Sequence, residues 1–419
     1  MNQTIRRTVA GTAALLATTP LVFGAGFQLA ERSATGLGRA FSGESAIGDD
    51  ASVIASNPAG MVLLDGTAVS AGLAYIMPSV DVSGTSNLSA LGGPAAVPSS
   101  DHEVIEEALV PYFYAARRIN DKLSVGMGTF TQFGLATEYT PNAYITQKSE
   151  LISFNLNPSI SYRVNGHLSI GAGVSAAYSD VTLTGNLPGA FGGPGEVLRL
   201  EGDDWGFGFN LGILYEFNER TRVGLHYRSE IDYTFKGTGT NLLIPAMAGG
   251  PAVGVSAVAE LTTPDTLEFS VYHEINDQWA VHGDVMWTGW SDFQTLTADY
   301  GGAVPLINNR ENWEDSMRFA VGATYTHNDR LTFRCGVAYD ESPVPDSAHK
   351  TLRIPDGDRI WASVGASYQL NPCYRIDLGY THIFDTDTSI NEPAADNGVF
   401  TGTASGDVEL VAIGVSGTF

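Results

Sequence analysis

The stretch "RTRVGLHYRSEIDYTFKG", residues 220–237, decides the fold class. Taken two residues at a time, Val223, Leu225, Tyr227, Ile231, Tyr233 and Phe235 fall on one side. Arg222, Gly224, His226, Arg228, Glu230, Asp232 and Thr234 fall on the other. A period of two belongs to a β-strand, whose successive side chains point to opposite faces. The run also exceeds the ~9–11 residues that cross a bilayer as a tilted strand. The same pattern returns further on. Leu331, Phe333, Cys335, Val337 and Tyr339 oppose Arg330, Thr332, Arg334 and Gly336. Tyr374, Ile376, Leu378 and Tyr380 oppose Arg375, Asp377, Gly379 and Thr381. In the closing run "VELVAIGVSGTF", Val411, Ile413, Val415 and the terminal Phe419 share a face.

Between such runs a short turn recurs: "RINDKL" (118–123), "RVNGHL" (163–168), "EFNERT" (216–221), "EINDQW" (274–279), "THNDRL" (326–331) and "QLNPCY" (369–374). Each centres on Asn, which bonds nearby backbone and tolerates the left-handed region, so each reads as a hairpin. Longer connections alternate with them, such as "LPGAFGGPGEVLRLEG" (187–202) and "NLLIPAMAGGPAVGVSAVAE" (241–260). The runs give about fourteen strands, near 67–85, 104–119, 122–140, 148–163, 167–184, 203–217, 220–237, 258–275, 278–297, 313–327, 330–341, 357–370, 373–389 and 405–419. An even count with tight turns at one end and long loops at the other describes an outer-membrane barrel. A soluble sandwich alternates too, but one set of long loops on so many strands favours closure. In lipid, closure is what pairs every backbone group. The expectation is all-β: an about 14-stranded antiparallel transmembrane β-barrel.

Composition agrees. The chain has 419 residues, 48 Gly, 2 Cys and a formal net charge of -24. That balance excludes a nucleic-acid partner, which needs a basic footprint. Arg6 and Arg7 precede an apolar stretch, Val9 to Phe23, interrupted by Gly11, Thr12, Thr18, Thr19 and Pro20. With Gly24 after it, this is expected to be an export signal over residues 1–24, too short and broken for a membrane helix. Cys335, on a strand, and Cys373, in a turn, are not expected to bridge. No pair of His or Cys stands at metal spacing, and neither a GxGxxG nor a GxSxG motif has its required context, so no metal, cofactor or catalytic residue is expected. The enzyme alternative, an outer-membrane lipase or protease, has no motif behind it.

One segment does not alternate. "DDASVIASNPAGMVLL" (49–64) is compact and rich in small residues, and it precedes every strand. It belongs to "AGFQLAERSATGLGRAFSGESAIGDDASVIASNPAG", which resembles the N-terminal plug of the long-chain fatty acid transport porins of Gram-negative outer membranes. "FGLATEY" (133–139), "DDWGFGFNLGILYEFN" (203–218), "LHYRSEIDYTFKG" (225–237) and "DESPVPDSAHKTLRIPDGDRIW" (340–361) match that family as well. The resemblance implies a plug over 25–66 inside a barrel over 67–419, in the bacterial outer membrane. It implies capture of a hydrophobic ligand at outer loops, an apolar pocket, and sideways release through a kinked third strand. The family's close relatives import aromatic hydrocarbons, which is the alternative substrate class.

By the same resemblance Phe27 is a plug aromatic near the ligand, and Asn57, Pro58 and Ala59 are the plug's Asn-Pro-Ala motif. Gly134, with Ala136 nearby, is the kink. Substitution at Pro58 or Gly134 is expected to impair passage. The Arg that the family places on the fifth strand is missing near Thr184 and Gly185. Arg222, Arg228, Arg334 and Arg375 remain candidates to hold a carboxylate, since Arg binds carboxylates with two parallel bonds; their other reading is pairing with Glu230, Asp232 and Asp377. The expected function is passive uptake of long-chain fatty acids by a monomer, with outer-membrane lipid as its surroundings. A surface adhesin is the reading from a different class.

Overall fold

The computed structural model describes residues 26–89, 93–140, 146–187, 195–242, 252–299, 307–385, 387–392 and 400–419. The expected export signal lies outside them. The six Asn turns form as their chemistry requires. Asn120 Oδ1 accepts from the N–H of Lys122 and Leu123, at 2.9 and 3.0 Å. Asn165, Asn218, Asn276, Asn328 and Asn371 each accept from the N–H two residues on. Each turn joins neighbouring antiparallel strands, and the last strand closes on the first over Ala68↔Thr418 to Ser86↔Phe400. The result is a closed 14-stranded antiparallel barrel.

The unbroken strands are the first (Thr67–Ser86), fourth (Thr146–Arg163), fifth (Leu168–Leu187) and sixth (Gly195–Asn218). So are the eleventh (Leu331–Asp340), twelfth (Arg359–Gln369) and fourteenth (Phe400–Thr418). The others come in two pieces: the second (Val97–Asp101, Ala108–Arg118), third (Leu123–Phe130, Gly134–Glu138), seventh (Thr221–Arg228, Ile231–Asn241), eighth (Ala252–Thr263, Thr266–Glu274), ninth (Trp279–Thr288, Thr295–Asp299), tenth (Ile307–Arg310, Ser316–Asn328) and thirteenth (Tyr374–Asp385, Thr388–Asn391). On the sixth strand Trp205, Phe207, Phe209, Leu211, Ile213, Tyr215 and Phe217 all stand exposed. Such a belt belongs in lipid, because a water-soluble surface does not carry it.

The stretch that reveals the fold is also where simple alternation fails. Up to Arg228 the seventh strand alternates as expected, with Leu225 exposed and His226 and Arg228 buried. Beyond Ser229 and Glu230 the faces exchange, and Ile231, Tyr233 and Phe235 point into the lumen at 3, 4 and 2 % exposure. They do not share the lipid side with Val223, Leu225 and Tyr227. The register gives the reason. The sixth strand advances seven residues from Asn210 to Asp203, while the seventh advances eight from Arg228 to Lys236. That extra residue is a bulge, and one residue of slip moves every later side chain to the other face. The third strand does the same: it advances four residues from Phe130 to Gly134, while the fourth advances three from Asn155 to Ile152.

Residues 26–64 fill the lumen. They form short helical turns, Ala34–Leu37, Val53–Ser56 and Pro58–Leu63, rather than strands. Small wall residues make room. A Cβ at Gly212 would collide with Asn57 Oδ1, and one at Gly336 with Arg39 O.

Candidate functional site

The two bulges shape one apolar cavity. With parity exchanged, Leu135 of the third strand and Phe235 of the seventh face inward, and the cavity lies among them, Leu151, Val181, Leu183 and Ile354. Phe27 of the plug forms one side of it. About 50 Å³ is open. One water needs roughly 10–15 Å³, so a whole acyl chain enters only if side chains move.

Phe27 sits in an aromatic cage. Its ring centroid is 4.8 Å from Trp290, 5.6 Å from Phe293, 5.8 Å from Trp313 and 5.9 Å from Phe133. Edge-on and tilted rings at these separations attract beyond their buried area. Gly26 precedes it at φ +64°, with both tryptophans against the space a Cβ would need. Only glycine takes that turn without strain. The sequence reading missed Trp290, Phe293 and Trp313, because they come from short irregular segments that interrupt the ninth and tenth strands, where no periodicity marks an inward residue.

Beside the cavity the wall is broken. The ladder between the second and third strands ends at Phe113↔Thr129. Farther out, the third strand is met by residues 104–106 instead: Glu106 N–H donates to Ala136 O at 3.3 Å and Glu138 N–H to Val104 O at 2.9 Å. From inside, the plug covers the break. Leu29 N–H donates to Gln132 O at 2.7 Å, and Gly134 N–H donates to Phe27 O at 2.9 Å. Gly134 and Ala136 are thus at the break and Phe27 is at the cavity.

The other expected residues lie deeper. Asn57 caps Pro58–Leu63, accepting from Ala59 N–H at 3.0 Å and donating to Ser45 O at 2.6 Å and Ile213 O at 3.0 Å. Asn57, Pro58 and Ala59 therefore pack on the fifth and sixth strands, away from the cavity. All four arginines hold the plug. Arg222 donates to Ala46 O at 2.7 Å and covers Tyr272, 4.1 Å from its centroid. Arg334 pairs with Asp49 at 3.3 Å, and Arg375 with Asp50 at 3.2 Å. Arg228 donates to Ser175 Oγ and Ala55 O, each at 3.0 Å. None of the four lines the cavity.

Plug electrostatics follow from these contacts. Burial pushes Asp49 upward, but Arg39, then Arg334 and Arg375, overcome it and hold its carboxyl well below the usual range. Burial raises Glu44 despite Arg39. Burial also lifts Glu31 to about 7, against weaker opposing backbone hydrogen bonds and the charges of Arg32 and Arg318. Among the described residues no cluster of His, Cys, Asp and Glu could hold a metal ion. The two cysteines are free and exposed. The loop "LPGAFGG" and most of "NLLIPAMAGGPAVG" lie outside the described residues.

A closed barrel with a lipid-facing apolar belt, a lumen plug, an internal apolar cavity and a broken wall defines an outer-membrane channel of the plugged kind. Residues 14–419 match the family described as outer membrane protein transport protein (OMPP1/FadL/TodX). The chain belongs to that family. It is 35% identical to the long-chain fatty acid transport protein of Escherichia coli K12 over 409 residues, covering 88% of this chain and 90% of that one. It is 37% identical to a 47 kDa outer membrane protein of Pasteurella multocida, over 86% and 87% of the two chains. Among solved structures, a Pseudomonas aeruginosa FadL homologue superposes with TM-score 0.84 at 25% identity, covering 94% of this chain and all of that one. The Ralstonia pickettii toluene transporter TbuX superposes at 0.68 with 20% identity, over 92% and 98%, which is a likeness of fold alone.

Proposed function

We propose that this protein is a passive outer-membrane importer of long-chain fatty acids and has no enzymatic activity. Residues 1–24 direct export, 25–66 are the plug and 67–419 the barrel, which acts as a monomer among outer-membrane lipids. The ligand is caught at the outer loops and enters the cavity beside Phe27. Its tail leaves through the gap between the second and third strands. The observation that carries this reading is the apolar cavity set against a wall break that residues 27–29 cover from inside. Burying an acyl chain contributes about 0.8 kcal/mol per CH₂. Leaving sideways into lipid spares the ligand a return to water. In the bilayer an unpaired ladder is costly, so a gap kept there is evidence of use.

The test is uptake of labelled oleate into liposomes holding the purified protein. Gly134→Arg puts a bulky charge at the break and is expected to abolish entry while the barrel still folds. Unimpaired entry would sink lateral release. The second reading, aromatic hydrocarbon uptake, draws on the aromatic cage around Phe27, which suits a flat ring. Growth of a deletion strain on oleate against growth on toluene separates the two.

A further inference from the structure

Below the cavity the lumen holds a cation, Arg228, that no carboxylate among the described residues answers. Arg228 ends the lower half of the seventh strand and is 1% exposed. Its guanidinium lies 5.2 Å from the ring centre of Phe130, which ends the lower half of the third strand. The two wall bulges thus meet across the lumen. Tyr114 stacks on Phe130 at 6.0 Å, and its hydroxyl donates to Arg32 O at 3.0 Å. Arg32, at the end of the plug's first segment, is thereby brought to the same place, and the two guanidinium charges repel. Glu31, Glu44 and Glu268 act on Arg32 through electrostatics without a direct ion pair among the described residues.

The Nε of each arginine is buried without a hydrogen-bond partner among the described residues. Asn155 Oδ1, Gln132 Oε1 and His226 Nε2 are likewise buried without a partner, but the two amide oxygens are acceptors and a carboxylate does not satisfy them. Native proteins leave few such atoms, and an unpaired buried cation costs far more than a neutral group. A carboxylate fits the two vacant Nε donors, because it accepts several hydrogen bonds and its charge opposes that of Arg228.

We propose that Arg32 and Arg228 form an anion station that takes the carboxylate of a long-chain acid while its tail lies toward the gap. It rests on the uptake reading above. One arginine belongs to the plug and the other to the wall, so the bound anion ties the plug's first segment to the wall. The station separates acids from hydrocarbons and alcohols of the same length, which the apolar cavity by itself does not.

The experiment compares oleate with oleyl alcohol, using the purified full chain in liposomes for entry and in detergent for equilibrium binding. Arg228→Gln is expected to lower oleate binding and entry about tenfold, the scale of one lost charged hydrogen bond, and to leave oleyl alcohol within about twofold. Arg228→Lys is expected to restore part of the oleate signal, because charge rather than shape is the requirement. Arg222→Gln, which loosens the plug at Ala46 without touching the station, is expected to affect both compounds alike. Migration of the unheated protein on a gel reports folding. Equal loss of oleate and oleyl alcohol in Arg228→Gln, or no loss of either, would overturn the station and leave its vacant atoms to water. Should the wild type admit neither compound, the uptake reading fails, while Arg228-dependent binding of oleate still decides the station.

Discussion

The plug is two regions held by different forces. Residues 26–32 reach the wall through two backbone hydrogen bonds, the hydroxyls of Tyr114 and Thr288, and ring contacts of Phe27. Residues 33–64 are tied by charge. Arg39 pairs with Glu44 at 2.7 Å and Asp49 at 3.3 Å, Arg334 and Arg375 add wall cations, and Arg318 donates to Ala40 O at 2.6 Å. Moving the second region would strand buried charges, at several kcal/mol each. Moving the first breaks a few hydrogen bonds and re-exposes rings that an apolar ligand can cover again. The difference places the movable part beside the cavity and the fixed part toward the periplasmic turns.

The largest blow to this contrast is Arg39→Met. It leaves Glu44 and part of Asp49 buried without their main cation, and breaking a buried pair in this way costs about 3–5 kcal/mol. Hydrogen exchange is expected to lose protection across residues 43–60, with the wall strands unchanged. Equal loss at Leu29 and Gly134 would show that the two regions move as one.

The second prediction acts on the weak region. Burial keeps Glu31 protonated up to about 7, against 4.5 in water. The docked segment therefore binds that proton more tightly than the released one. Docking is strongest below pH 4.5, weakens as pH rises from 4.5 to about 7, and stays at its weaker level above. The full change is on the order of 3 kcal/mol. Exchange at Leu29 and Gly134, corrected for intrinsic rates, should rise over that window, and Glu31→Gln should flatten the rise. A rise that persists in Glu31→Gln assigns the pH response to another group.

Much of the barrel is legible in the sequence because lipid outside and plug inside impose a strict period of two, and because an Asn at each tight turn bonds the backbone it turns. The bulges are not legible in that way. Ile231, Tyr233 and Phe235 keep the parity of Leu225 and Tyr227, so residue spacing places them on one face, and only register against the sixth strand separates them. The hint was Ser229, a polar residue interrupting the apolar odd series. Phe27, Gly134 and Ala136 were reached through family resemblance and do lie at the cavity and the break. Trp290 and Trp313 were not, since their burial depends on contacts with a plug more than 250 residues earlier in the chain.

The smallest effect expected is at the Asn-Pro pair, and it bears most directly on which region is the gate. Asn57→Ala removes three hydrogen bonds to the plug and the sixth strand, for about 1–3 kcal/mol. Pro58→Ala frees one backbone angle, worth less than about 1 kcal/mol. Sequence resemblance makes Pro58 a gate element, yet it stands against Gly171 of the fifth strand, where an added Cβ would strike Ala59 N. If the fixed region only anchors, Asn57→Ala lowers protection of residues 58–63 and both variants admit oleate at the wild-type rate. If Pro58→Ala slows oleate entry while protection at 58–63 and at Leu29 stays intact, passage runs through the fixed region. The charged part of the plug would then be the gate, and the segment carrying Phe27 its seal.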